Sequence, residues 1–330
     1  MKKWTKPVAL LVTIAMVVLV GLVGCGTPSS SGNKASVKPL HFVFVTPLIG
    51  HPIWLKAKKG FDDAAKKYDF TGDWVGPQGI DANAMIQQIE NAIAMKADGI
   101  ITMALNPQAF QPVLEKASKA GIPVVLVNSD APNAPRLAYV GTNNANLGTA
   151  GAKEILKKLN GTPANVIIMQ STMDATVANQ MAEAYIKELK TVPSTKILAR
   201  VPDNSDMMTA VQKFENLLRT YPQTNVIIGV AAEVAPAAAK VVNEMGLKGK
   251  VLIMGIDDMQ QTTDAIKSGT VYGSEVQNFY RMGYQASQVL VNYIRDGKKP
   301  TSPIIDSGTV FVDKNNLDTY ANQMKDWLKQ

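Results

Sequence analysis

Short runs of β-branched and aromatic residues alternate along the chain with longer stretches of helical periodicity. Residues 41–46 (HFVFVT) read as a buried strand. Residues 54–68 place Leu55, Ala57, Phe61, Ala64, Ala65 and Tyr68 at the spacing of one helix face. The alternation predicts strand 73–75, helix 82–95, strand 99–104, helix 108–120 and strands 124–127 and 138–140. It restarts after a Gly/Asn-rich turn, with helix 147–159, strand 165–170, helix 177–189 and strand 196–200. Helix 207–220, strand 225–230, helix 235–245, strand 251–256, helix 260–268, strand 271–276 and helix 279–295 follow. A strand at 308–312 and a short helix at 314–320 close the chain. Short apolar strands separated by helices indicate parallel sheets covered on both faces. The repetition of the whole block predicts two α/β/α sandwich lobes, with a cleft that hinge motion can close.

In such folds ligands meet the loops that leave the carboxyl ends of the strands. Those loops are TPLIGHPIW (46–54), LNPQ (105–108), VNSD (127–130), QSTMDATVANQ (170–180), PDNSD (202–206), VAAE (230–233), GIDD (255–258) and EVQN (275–278). Amides, carboxylates and hydroxyls dominate them, with Trp54 and Met173 as apolar surfaces. This mixture suits a sugar, whose hydroxyls need donors and acceptors and whose C–H face needs an apolar plate. Hydrolase, zincin, P-loop and dinucleotide signatures are missing, and the chain is read as a non-enzyme without cofactor or metal. Only His41, His51 and Cys25 could serve a zinc or cysteine–histidine site. His51, just after the first strand, is placed at the cleft. The pair Asp257–Asp258 leaves two readings open: a metal or hydrolytic pair, or one acid on a ligand hydroxyl and the other capping helix 260–268.

Composition changes the picture at one end. The 330 residues are 46% hydrophobic and 18% charged, an ordinary globular balance, with a formal charge of +7. Lys2, Lys3 and Lys6 precede an apolar run over 7–24, which ends in LVGC. That arrangement resembles a lipoprotein signal peptide over 1–24, with Cys25 as the lipidated residue. Residues 25–39 (CGTPSSSGNKASVKP) read as a flexible tether. Without the leader the charge is about +4, and without Lys34 and Lys38 about +2. The basic excess is therefore mostly targeting sequence and tether, and no nucleic-acid partner is expected.

Several fragments together resemble one family. FVTPLIGHPIWLKAKKGFDDAAKK, ADGIITMALNP, GIPVVLVNSDAP, YVGTNNANLG, NVIIGVAAEVAPAAAKVVNEMG, VLIMGIDD and IIDSGTVFVDKNNLDTY are similar, in order and spacing, to the ribose-binding type of periplasmic binding proteins (type I). These are substrate-binding lipoproteins of ABC sugar importers. The resemblance implies two Rossmann-like lobes joined by three crossovers, near Thr142–Asn143, Gln277–Asn278 and Ser302–Asp306. The lobes would be 40–142 plus 278–305 and 143–277 plus 306–330. It implies capture of a neutral monosaccharide, deoxysugar or polyol by a monomer. The monomer would be held by lipid on the outer face of the cytoplasmic membrane, or be periplasmic where there are two membranes. It would deliver the ligand to a permease driven by a separate ATPase. The family's ligand contacts fall on His51, Ile53, Trp54, Asn106, Asn128 (with Asp130 nearby), Asn179, Ser205, Ala232 (with Glu233), Asp257 and Gln277. Met173 and Gln180 join them from the loop 170–180. The asparagine before proline, the aspartate after the fourth strand and the arginine of ribose binders become His51, Asn128 and Asn179. Loop lengths, the APAAAK helix and the DATVANQ segment are similar to the autoinducer-2 and rhamnose receptors. Pro47 and Asn128, however, stand where the autoinducer-2 pattern has a lysine and an acid. The alternative role is an autoinducer-2 receptor, or a sugar sensor coupled to a membrane signalling partner.

Overall fold

The computed structural model describes residues 39–327; the leader, Cys25 and most of the tether lie outside them. From Leu40 the chain runs β1 (Leu40–Val45), α1 (Pro52–Tyr68), β2 (Phe70–Val75), α2 (Ala82–Ala94), β3 (Gly99–Thr102), α3 (Pro107–Lys119), β4 (Val124–Val127) and β5 (Ala138–Gly141). It continues through α4 (Asn144–Leu159), β6 (Asn165–Gln170), α5 (Thr176–Leu189), β7 (Lys196–Pro202), α6 (Met207–Thr220), β8 (Val226–Val230), α7 (Val234–Glu244) and β9 (Leu252–Ile256). Then come α8 (Gln260–Ser268), β10 (Gly273–Gln277), α9 (Phe279–Asp296), β11 (Ile304–Asp306), β12 (Thr309–Asp313) and α10 (Leu317–Trp327).

The strands form two six-stranded sheets, ordered β11-β5-β4-β3-β1-β2 and β12-β10-β9-β8-β6-β7. All pairings are parallel except that of β12, which runs antiparallel to β10. β3, β4 and β8 are buried along their whole length. Helices cover both faces of such strands, so they read as continuous apolar runs. In each sheet the strand order reverses beside the first strand of the lobe, at β1/β3 and at β6/β8. That reversal opens a crevice at the carboxyl ends of the strands.

α9 follows the second sheet in sequence but packs against α1 of the first lobe. The crossing is close enough to need glycine on both helices. A Cβ on Gly60 would lie 2.0 Å from the Tyr280 carbonyl oxygen, and one on Gly283 would lie 2.0 Å from that of Ala57.

The chain passes between the sheets three times: between β5 and α4, between β10 and α9, and between β11 and β12. The third passage lies one step later than the sequence suggests. Ile304, Ile305 and Asp306 pair with Tyr139, Val140 and Gly141 as an edge strand of the first sheet. The chain leaves that sheet only at Ser307–Gly308. The Ser307 N–H donates to the Gly141 carbonyl at 3.0 Å and the Asn278 N–H to the Gly308 carbonyl at 3.1 Å, which ties the three passages together.

Candidate ligand-binding site

A cavity of about 100 Å³ lies between the two crevices. It is small beside the roughly 300–1,000 Å³ of drug-sized sites. Its first-lobe wall comes from the loop after β1 (Pro47, Leu48, His51) and the start of α1 (Ile53, Trp54). Ile80, Met103, Leu105 and Asn128 complete that wall. The second lobe contributes Ser171, Ala175, Val177, Ala178 and Met181, then Ser205, Val230 to Glu233, Ile256 and Asp257. Gln277 and Phe279 line it from the second passage.

Asn128 and Asp257 occupy matching places after β4 and β9, each with φ near +60°. Asparagine and aspartate tolerate this left-handed conformation better than most residues, and it turns their side chains off the strand ends. Between them lies Gln277. Its Oε1 accepts from Thr142 Oγ1 at 2.7 Å and from Asn128 Nδ2 at 3.3 Å. Its Nε2 and backbone N–H donate to Asp257 Oδ1 at 3.4 and 3.3 Å. A buried polar chain thus runs from one lobe to the other through the passage. Burial, with the neighbouring Asp258 charge, pushes the Asp257 carboxyl up to about 7, against the lowering effect of the Gln277 bonds.

A second polar group also lines the cavity. His51 caps α1, its Nδ1 accepting from the Ile53 N–H at 3.3 Å. That role assigns the ring hydrogen to Nε2, which faces Glu233 Oε2 across the cleft at 3.6 Å. Asp203, wholly buried, lies within hydrogen-bond reach of the Glu233 carboxyl. Burial and the Glu233 carboxyl push Asp203 up to about 9. Trp54 is almost fully buried, its ring edge-to-face with Phe279 at 5.1 Å, and both rings line the cavity.

Of the residues expected from sequence, His51, Ile53, Trp54, Asn128, Ser205, Ala232, Glu233, Asp257 and Gln277 come together on this cavity. Asn106, Asp130, Met173, Asn179 and Gln180 do not line it, for identifiable reasons. Asn106 caps α3, its Oδ1 accepting from the Gln108 and Ala109 N–H groups. Asp130 is held by Arg136, whose Nη2 donates to Oδ2 at 2.7 Å. Met173 is exposed. Asn179 Oδ1 accepts from Gln170 and Arg200, and its Nδ2 donates to the Met173 carbonyl. Gln180 accepts from Asn144 beside a separate hollow. Sequence reasoning missed Phe279, Met103, Leu105, Met181 and Asp203. Asp203 is the one polar residue among these five, and it lies in the strand-end loop 202–206. Asp258 turns from the cavity to Lys56 and Tyr320. Among the described residues no cluster of His, Cys, Asp or Glu is arranged to hold a metal ion.

The periplasmic binding protein domain profile matches residues 42–299. A solute-binding protein from Burkholderia graminis, solved with D-arabinose, is 31% identical, with a TM-score of 0.81 over 85% of this chain and 97% of that one. A glucose-galactose binding protein, GanP of Geobacillus stearothermophilus, is 27% identical, with a TM-score of 0.81 over 85% and 99% of the two chains. The fructose import binding protein FruE of Bifidobacterium longum is 28% identical over 310 residues, 90% of this chain and 91% of its own. The two-lobed fold with its crossovers, the cleft between the strand ends and the profile match agree: the chain belongs to the periplasmic binding protein family.

Proposed function

We propose that the protein is the extracytoplasmic solute-binding component of an ABC importer, and that it captures a small neutral sugar or polyol in the cleft between its lobes. The family binds and releases its ligand without converting it. The carrying observation is the buried chain Asn128–Gln277–Asp257, which brings an amide and a carboxylate from opposite lobes to one small cavity. Each lobe holds part of the hydrogen-bonding set, so a polyhydroxylated ligand gains its full set of bonds only when the lobes close. The cavity's size favours a pentose, hexose, deoxysugar or small polyol. The apolar wall of Trp54, Phe279, Met103 and Ile256 suits the C–H face of such a ring. A ligand lacking a hydroxyl would leave a buried partner unpaired, at a cost of about 1–3 kcal/mol per group.

Closure would present a new surface to a permease, with ATP supplied by a separate subunit. A membrane signalling partner is the competing user of the same closed form, and affinity capture from native membranes separates the two. Autoinducer-2 is less well suited, because Pro47 and Asn128 line the cavity where its receptors carry a lysine and an acid. Cys25 is proposed as the lipid anchor, and Cys25→Ser should release the protein from membranes. The direct test is a thermal-shift screen over pentoses, hexoses, deoxysugars and polyols, with autoinducer-2 as a control. At least one sugar or polyol should raise the melting temperature by several degrees. A response to autoinducer-2 alone would replace it.

A further inference from the structure

We infer that Asp203 and Glu233 share a single proton at the edge of the cleft, and that Asp203 thereby positions Glu233 as the acceptor for a ligand hydroxyl. The inference rests on the reading of this cavity as the ligand site. Asp203 directly follows β7 and is 0% exposed. Its Oδ1 accepts from the Ser205 N–H at 3.0 Å, and its Oδ2 receives no donor among the described residues. Glu233 lines the cavity at 4% exposure, and among the described residues its Oε1, also buried, receives none either. The two carboxyls are within hydrogen-bond reach of each other. Two bare carboxylate oxygens so buried would be costly, and neighbouring carboxyls so placed do not both ionise. One proton resolves both deficits: Asp203 donates its O–H to Glu233. Glu233 keeps lone pairs for the ligand and lies 3.6 Å from His51 Nε2.

The surrounding charges do not replace that proton. Arg200 of β7 is engaged by Gln170, Asn179 and Glu183. Lys213 of α6 donates to the Pro202 carbonyl, and Asp206 caps α6 through the Thr209 N–H. Among the described residues neither Asp203 nor Glu233 is ion-paired to a lysine or arginine. His51 of α1 faces Glu233 from the other lobe, and Asp257, which follows β9, lines the same cavity. Burial and Glu233 hold the Asp203 proton up to about 9, so it should leave only in alkaline solution.

The experiment pairs infrared titration with calorimetry on the full chain. At pH 8, where Asp257 and Glu275, each held near 7, are mostly ionised, the wild type should retain a protonated-carboxyl band. That band should vanish by pH 10 and be absent at pH 8 in Asp203→Asn. D-arabinose, D-xylose, D-fructose and xylitol serve as calorimetric probes. Any that binds at pH 7 should lose affinity about tenfold between pH 8 and pH 10, as a single proton held near 9 requires. Asp203→Ala should weaken binding at pH 7, and Asp203→Asn, which still offers a donor to Glu233, should restore it and remove the alkaline loss. No carboxyl band sensitive to Asp203→Asn would overturn the shared proton. An unchanged alkaline loss in Asp203→Asn would overturn the positioning role. If none of the four probes binds at pH 7, the sugar or polyol with the largest thermal shift replaces them. If the whole screen gives none, the ligand reading and the positioning role fall together, and the infrared band alone decides the shared proton.

Discussion

Trp54 has two duties that the sequence does not separate. Its place after β1 suggests a plate for a sugar ring, yet its indole is almost fully buried against Phe279. Trp54→Ala should therefore cost stability as well as binding. Removal of a buried aromatic costs about 3–5 kcal/mol, and a drop of that order should appear in the denaturant midpoint of the ligand-free protein. An unchanged midpoint would mean that the ring is not packed as described. The polar half of the site was legible because its residues end strands, where Asn128, Glu233, Asp257 and Gln277 stand out against apolar runs. The same residue types also cap helices and tie loops, and the family correspondence that points to Asn106, Asp130, Asn179 and Gln180 does not separate those duties from ligand contact. Met103, Leu105 and Met181 were invisible, because an apolar side chain facing a cavity has the same pattern as one facing a core.

At the scale of elements, the interior strands are plain in the sequence because both faces are buried. β11 is not: it has three residues at a sheet edge, and Ile304 is 58% exposed, so no apolar run marks it. The last helix runs over Leu317–Trp327, later and longer than expected, after an Asp313–Asn316 turn. The contact that most constrains the first lobe is the α1–α9 crossing, which joins segments more than two hundred residues apart in sequence. Gly60→Ala places a methyl 2.0 Å from the Tyr280 carbonyl oxygen, and only helix displacement can relieve it. Overpacking of this kind costs about 1–3 kcal/mol. The expected outcome is a lower denaturant midpoint with an unchanged slope; a midpoint within error of wild type would show that the helices are not in contact there.

Over the whole molecule, the two lobes touch through more than the hinge. Lys56 of α1 pairs with Asp258, His51 faces Glu233, and the Thr176 N–H donates to the Leu105 carbonyl at 3.2 Å. The cleft is thus described in a closed arrangement, with Asp257 on its wall and the buried carboxyls of Asp203 and Glu275 elsewhere in the second lobe. Those carboxyls set a pH dependence. Burial holds Asp257, ordinarily at 3.8, and Glu275, ordinarily at 4.5, near 7, and Asp203 near 9. The folded state then binds more protons than the unfolded chain between these values, so stability falls as pH rises through the window. The melting temperature should decline from about pH 5 to about pH 8, and Asp257→Asn should flatten the decline. A melting temperature that rises over this interval would reverse the sign and refute the protonated interior.

Capture of a sugar or polyol between the lobes, with Asp257 as a direct partner, is tested most directly by calorimetric titration. The sugar or polyol giving the largest thermal shift would be titrated into the wild type and into Asp257→Asn side by side. The expected result is one-to-one binding to the wild type and a loss of tenfold or more in the variant, equivalent to about 1.4 kcal/mol or more. Equal affinity in the two proteins would contradict the account.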